Sequence, residues 1–186
     1  MKSYSFKVII VGPPAVGKTS LLNRFVHNEF NLSYQLTIGV DFLTKTLAYE
    51  QSKKAKLQIW DIGAQERFKF LHRSFYDGAF GALVVFDLSR QQTFSGMKIW
   101  ISEMHSILTA DIPKVIIGNK SDLLPDIGQV IDRNEINEFV ENLDCIYIET
   151  SAKTGNNVEN AFQELTLRMV KRMEEIIHSS KENLEL

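Results

Sequence analysis

One stretch constrains this chain more than any other. The nearly all-apolar run FKVIIVG, Phe6 to Gly12, passes directly into PPAVGKT and completes the pattern Gly-x-x-x-x-Gly-Lys-Thr over Gly12 to Thr19. A short continuous apolar run reads as a strand covered on both faces, and SLLNRF after the loop reads as the apolar side of a helix. A strand–loop–helix of this kind presents successive backbone N–H groups to phosphate oxygens at a helix N-terminus. Gly12 and Gly17 permit the tight path, Lys18 brings an ammonium to the β and γ phosphates, and Thr19 offers Mg²⁺ a hydroxyl. The bare pattern arises by chance in roughly 1% of chains this long, so the flanking strand and helix decide the matter.

Pro13 and Pro14 are unusual in such a loop because proline has no N–H to donate. By analogy with other phosphate loops, the main donors are expected from about Ala15 to Thr19, Val16 and Gly17 among them, with the prolines on the entry side and Ser20 a further nucleotide-binding candidate. Nucleotide binding is therefore expected to survive them. Pro14 stands where a bulky residue would crowd a terminal phosphate.

The same alternation continues along the chain. ALVVFDL (82–88), KVIIGN (114–119) and CIYIET (145–150) repeat the buried-strand pattern. Between them lie three helical stripes: Phe94, Met97, Trp100 or Ile101, Met104, Ile107 and Leu108; then Ile136, Phe139, Val140 and Leu143; then Val158, Phe162, Leu165 and Met169. Asp132 with Glu135 resembles a capping box opening the second. Residues 40–60 lack a helical period and read as two strands joined by a polar turn around EQSKK, which adds one antiparallel strand at an edge. The implied fold is a doubly wound α/β sheet with its ligand beyond the strands' carboxyl ends. One domain is expected over 1–176, followed by a short polar tail at 177–186 whose end, SSKENLEL, is expected to fray.

The bulk properties narrow the function further. A net charge of -2 and a pI near 6.1 argue against a general nucleic-acid binder. The single cysteine, Cys145, precludes an internal disulfide and fits a reducing compartment. The apolar segments are too short for a signal peptide or a membrane span, so a cytoplasmic protein is expected.

NKSD (119–122) follows one core strand and TSAK (150–153) follows the next. Ionised Asp122 is a pure acceptor pair, and guanine offers two adjacent donors on one edge where adenine offers none. A wrong base would leave a buried charge unpaired, so Asp122 selects guanine. The Lys120 stem can lie along the base plane, and the Ala152 N–H can meet the guanine carbonyl. Asn119, Ser151 and Lys153 complete the expected pocket.

Taken together these residues resemble the Ras superfamily of small GTPases, over Phe6 to about Met173. TIGVDF (37–42), KLQIWD (56–61), QERF (65–68), FYDGA (75–79) and LVVFDLS (83–89) are most similar to the Rab branch. The resemblance implies a G domain with a six-stranded, mostly parallel sheet, one antiparallel edge strand and about five helices. It implies GTP or GDP with Mg²⁺ as ligands and slow GTP hydrolysis, as in a molecular switch in vesicle trafficking or membrane-linked signalling. By position, Thr37 supplies Mg²⁺ a hydroxyl and the γ-phosphate an N–H, Asp61 holds the metal through water, and Phe30 packs edge-on against guanine. Gln65 orients the attacking water, with Lys18 and Thr37 as its catalytic companions. Phe42, Trp60 and Phe75 match an aromatic trio shown to effectors. Activating, exchange and effector proteins are expected at 30–42 and 60–77, on a monomer. No arginine lies between Phe30 and Val40, so the activating partner is expected to supply one.

The chain departs from that pattern in four places. In WDIGAQERF the residue before Gln65 is Ala64 where the family has glycine, and glycine stands one place earlier, at Gly63. Ala64 keeps the N–H expected to meet the γ-phosphate but adds a Cβ that narrows the allowed backbone path, which Gly63 could partly restore. Asp77 stands where Rab proteins commonly carry arginine, and KENLEL has neither cysteine nor a strong basic cluster, so the expectation is no lipid anchor in this stretch: a C-terminal piece is missing, or membranes are reached only through partners, or not at all. Pro14 and Ala64 together support an alternative: a GTP-binding pseudo-switch or scaffold with impaired hydrolysis.

Overall fold

The computed structural model describes residues 3–31, 37–143 and 145–182. Residues 32–36 of the expected first switch, and the end of the expected tail, lie outside that set. The sheet has six strands in the order β2-β3-β1-β4-β5-β6. They are β1 (Ser3–Val11), β2 (Val40–Glu50), β3 (Lys53–Ile62), β4 (Gly81–Asp87), β5 (Lys114–Asn119) and β6 (Ile146–Glu149). Every pairing is parallel except that of β2 with β3, in which Phe42 faces Trp60. The antiparallel edge hairpin is thus where the missing helical period placed it. Its turn puts Ser52 at φ 65°.

The central strands alternate between two cores. Phe6, Val8 and Ile10 of β1, with Leu83 and Val85 of β4, join one apolar cluster with helices α1 (Lys18–His27) and α6 (Val158–Glu182). Ile9 and Val11, with Ala82, Val84 and Phe86, join the other under α3 (Gln91–Ile107) and α5 (Arg133–Glu141). A strand buried on both faces cannot alternate polar with apolar, hence the unbroken runs in the sequence. The α3 stripe resolves in favour of Ile101, which is buried with Phe94, Met97 and Met104, while Trp100 is half-buried.

Two short helices, α2 (His72–Tyr76) and α4 (Leu124–Ile127), bring the α-helices among the described residues to six. The expected capping box forms by half: the Asp132 carboxylate accepts from the Asn134 N–H at 2.9 Å. The Glu135 carboxylate instead reaches α3, at 3.2 Å from Lys98 and 3.3 Å from Gln91. Helix α6 runs without a break past residue 177 to Glu182, so the stretch expected to fray there is helical that far. At the carboxyl ends of β1, β4 and β5 stand Gly12, Asp87 and Asn119, and one cavity opens above them.

Candidate functional site

The phosphate loop is shaped by contacts that only glycine allows. Gly12 has φ 141°, and a Cβ there would come within 2.1 Å of the Val85 carbonyl oxygen. Gly17 has φ 95°, and a Cβ would meet the Asn119 amide at 2.4 Å. Lys18 folds back over the loop, its Nζ donating to the carbonyls of Gly12 at 2.8 Å and Pro13 at 3.2 Å. Burial lowers its pKa to about 8, against the opposing pull of Asp61. The peptides behind those carbonyls end in the nitrogens of Pro13 and Pro14, so the prolines occupy positions whose N–H the loop does not use. Pro13 is buried, and a Cβ on Gly96 of α3 would lie 2.9 Å from its ring. Pro14 is exposed and lines the cavity.

A trans peptide points its C=O and N–H in opposite directions, and the described residues contain no cis bond. The Ala15 carbonyl accepts from Lys120 Nζ at 3.0 Å and from Arg90 Nη2 at 2.9 Å. The Val16 carbonyl accepts from Asn119 Nδ2 at 2.9 Å. With both carbonyls tied to the protein, the N–H groups of Val16 and Gly17 point the other way.

Thr19, Thr37 and Asp61 converge. Thr19 Oγ1 lies 2.9 Å from Thr37 Oγ1 and donates to Asp61 Oδ2 at 2.5 Å, and Thr37 Oγ1 is 3.4 Å from the same oxygen. Asp61 is fully buried, which raises its pKa despite Lys18 and Thr19, and its Oδ1 has no hydrogen-bond partner. A buried carboxylate with an unsatisfied oxygen beside two hydroxyls is a hard-oxygen donor set that fits Mg²⁺. Among the described residues no cluster of three His, Cys, Asp or Glu could hold a metal. The ion's remaining ligands would have to be water and phosphate.

The base end is built around Asn119. Its Oδ1 accepts from the Ala152 N–H and Thr150 Oγ1, each at 3.2 Å, while its amide holds the phosphate loop. The Ala152 N–H, expected to meet a base carbonyl, is thus on Asn119 here. Asp122 Oδ1 accepts from Ser151 Oγ at 2.6 Å, and Lys153 Nζ stands 3.9 Å from its other oxygen. Arg24 of α1 props this loop from behind, donating to the carbonyls of Ala152 at 2.9 Å and Lys153 at 2.7 Å.

One cavity of about 460 Å³ joins both ends. Ala15, Gly17, Lys18, Thr19, Ser20, Phe30, Thr37, Ala64, Gln65, Asn119, Lys120, Asp122, Ala152 and Lys153 all line it. Gly12, Val16, Asp61 and Ser151 do not line it and act from behind the wall. Gly63 of WDIGAQERF lines it as well, as do Asn23, Asn31 and Leu123, which no motif announces. Gln65 donates its amide to the Thr37 carbonyl at 3.1 Å, tying the two expected switches together. Gly63 donates its N–H to Gly39 at 2.8 Å. Outside the cavity, Trp60 meets Phe42 edge-on at 5.4 Å and Phe75 at 6.4 Å. Of that trio Phe42 is exposed, and Trp60 and Phe75 are half-buried.

A parallel sheet with this loop at its first strand defines a phosphate-loop protein of the doubly wound α/β class. The model of the Ras family matches residues 7–171. The Ras-related protein RABA4b of Arabidopsis thaliana is 41% identical over 162 residues, spanning 87% of this chain and 71% of that protein. The chain belongs to the Ras family of small GTPases and is Rab-like within it.

Proposed function

We propose that this cavity binds GTP or GDP with Mg²⁺ and hydrolyses GTP slowly, as a nucleotide-dependent switch. The observation that carries the proposal is the single cavity running from Lys18 to Asp122. Its one end gathers an ammonium, hydroxyls and a buried carboxylate, and its other end an acceptor suited to guanine. The bound metal would neutralise phosphate charge, held by Thr19, Thr37 and Asp61. Lys18, Thr37 and the Val16 and Gly17 amides fix the phosphates, and Gln65 aligns water. With no arginine from Phe30 to Val40, intrinsic turnover is on the order of 10⁻⁴ s⁻¹, and an activating protein supplies the missing charge.

Effector, exchange and activating proteins dock on 30–42 and 60–77, where Ile38, Phe42 and Phe70 are exposed. On this reading, which the Rab likeness supports, the switch acts in vesicle trafficking or membrane-linked signalling, as a cytoplasmic monomer that reaches membranes at most through partners. Among the described residues no helix is long and apolar enough to cross a membrane. A second reading is a pseudo-switch with impaired hydrolysis. It is favoured by the Pro14 ring and the Ala64 side chain lining the same cavity as Gln65.

Identification of the nucleotide released from purified protein, followed by single-turnover hydrolysis with and without Mg²⁺, tests both. Guanine nucleotide with slow, metal-dependent turnover supports the switch. Retained GTP with no turnover over hours, even beside an activating domain, supports the second reading. Adenine nucleotide removes both.

A further inference from the structure

The ends of β4 and β5 carry a charged cluster of which only Lys120 belongs to the phosphate-loop or base motifs. Asp87, the last residue of β4, is buried, and its carboxylate is saturated with donors. Oδ1 accepts from the Ser89 N–H at 2.9 Å and from Ser89 Oγ at 2.5 Å. Oδ2 accepts from Arg90 Nε and from Lys120 Nζ, each at 2.8 Å. Both cations then donate to one further atom, the Ala15 carbonyl oxygen. One carboxylate therefore gathers two cations, and the two cations grip one peptide of the phosphate loop.

That peptide needs a grip. Ala15 sits at φ 60°, in the left-handed region that is unfavourable for a residue with a Cβ. The same peptide carries the Val16 N–H on its opposite side, so the direction of the carbonyl fixes the direction of the amide. The base of the cluster is itself held. Thr93 Oγ1 accepts from the Asp87 N–H at 3.0 Å and donates to the Arg90 carbonyl at 2.7 Å, pinning the turn between β4 and α3.

We infer that Arg90, anchored by Asp87, is a positioning residue that aims the Val16 amide at phosphate and so sets how long a guanine nucleotide stays bound. This rests on the guanine-nucleotide reading of the cavity. The division of labour follows from geometry. Lys120 shares the anchor and also lines the base pocket, so Asp87 couples the two ends of the site. Arg90 does not line the cavity and works on the phosphate end alone, through the Ala15 carbonyl at 2.9 Å and, at 3.5 Å, that of Pro14.

The test is Arg90→Met, which keeps the apolar stem at a partly exposed position and removes the two donors. Release of fluorescent GDP from the full chain with Mg²⁺ should quicken about fivefold, the size expected of one charge-assisted hydrogen bond softened by solvent. Competition binding should show a similar loss of GDP affinity and a change within about twofold for guanosine, which has no phosphate for Val16 to meet. Arg90→Lys, with one ammonium in place of two separated donors, should restore part of the GDP affinity. Asp87→Asn should weaken guanosine and GDP together. Unchanged GDP release in Arg90→Met overturns the inference, as does an equal loss for guanosine, which would mark general loosening. Wild-type protein that holds no guanine nucleotide overturns the functional reading and this inference with it.

Discussion

At the scale of single residues, the pair Gly63–Ala64 behaves differently from what the spelling of the motif implies. The sequence leaves room for Gly63 to return some of the backbone freedom lost at Ala64, yet Gly63 lies outside the left-handed region and is fixed by crowding. A Cβ on it would come within 2.6 Å of the Thr37 carbonyl oxygen and 2.9 Å of that of Gly39. Ala64 also lies outside the left-handed region, so its Cβ carries no backbone strain in the conformation described. Any penalty must arise when the second switch moves to meet a γ-phosphate. Ala64→Gly should therefore raise the single-turnover rate of GTP hydrolysis several-fold, since glycine reopens φ space worth about 1 kcal/mol. Gly63→Ala should not; it should destabilise the fold by about 1–3 kcal/mol through overpacking against fixed backbone, read from urea unfolding. An unaltered rate in Ala64→Gly would mean the alanine is a neutral replacement. Asp87 gives a pH dependence with a definite sign. Burial alone would raise its pKa, but hydrogen bonds from Lys120 and Ser89 outweigh burial and hold it below the ordinary carboxylate value. Its ion pairs stabilise the fold fully above the unfolded pKa of about 4 and are lost as pH falls through the lower folded value. Unfolding free energies from pH 6 to 2 should decline less steeply in Asp87→Asn than in the wild type over that window.

At the scale of elements, α6 is the brace that lets the rest carry strain. Phe162 stacks on Phe25 of α1 with ring centroids 3.7 Å apart, and both rings are buried. Phe162→Ala should cost about 3–5 kcal/mol, measured by chemical denaturation, because the opposing ring cannot collapse into the gap without moving α1. Since α1 begins at Lys18, the same variant should also weaken nucleotide binding, whereas a cavity merely filled by repacking would leave binding unchanged. Such elements were legible in the sequence because they are long and periodic. The α6 stripe of Val158, Phe162, Leu165 and Met169 is buried throughout, and the unbroken apolar runs mark the central strands. Helices α2 and α4, of 5 and 4 residues, are too short to show a period in the sequence. The motif residues announced both ends of the cavity, but the struts behind them did not announce themselves. Arg24, Arg90 and Asp87 act over 75 or more positions of sequence or through a strand end that reads as ordinary core. Nothing local distinguishes Gly96 either, although its missing Cβ makes the room in which Pro13 packs.

At the scale of the whole molecule, the site has charges buried before any ligand neutralises them. Lys18 is nearly inaccessible with carbonyls for partners, and burial pulls its pKa down to about 8. Asp61 is buried with one oxygen unpaired, and burial pushes its pKa up. Both shifts have one cause: ionic groups held out of water with incomplete compensation, which costs folding free energy. A ligand bringing anionic oxygens to Lys18 and a divalent cation to Asp61 cancels both penalties together, so the gain should need nucleotide and metal jointly. A ligand bound only by the native state stabilises by RT ln(1 + [L]/Kd), about 2.7 kcal/mol at a hundred times Kd. For a chain of this size that is a rise in Tm of roughly 5–10 °C. GDP with Mg²⁺ should produce such a rise in a thermal melt, GDP with a chelator much less, and ADP with Mg²⁺ none, because Asp122 would face an adenine edge lacking paired donors. Equal shifts from ADP and GDP would show that the phosphate end alone does the binding and that Asp122 does not choose the base. A full GDP shift in chelator would separate the Asp61 carboxylate from the metal role its burial implies.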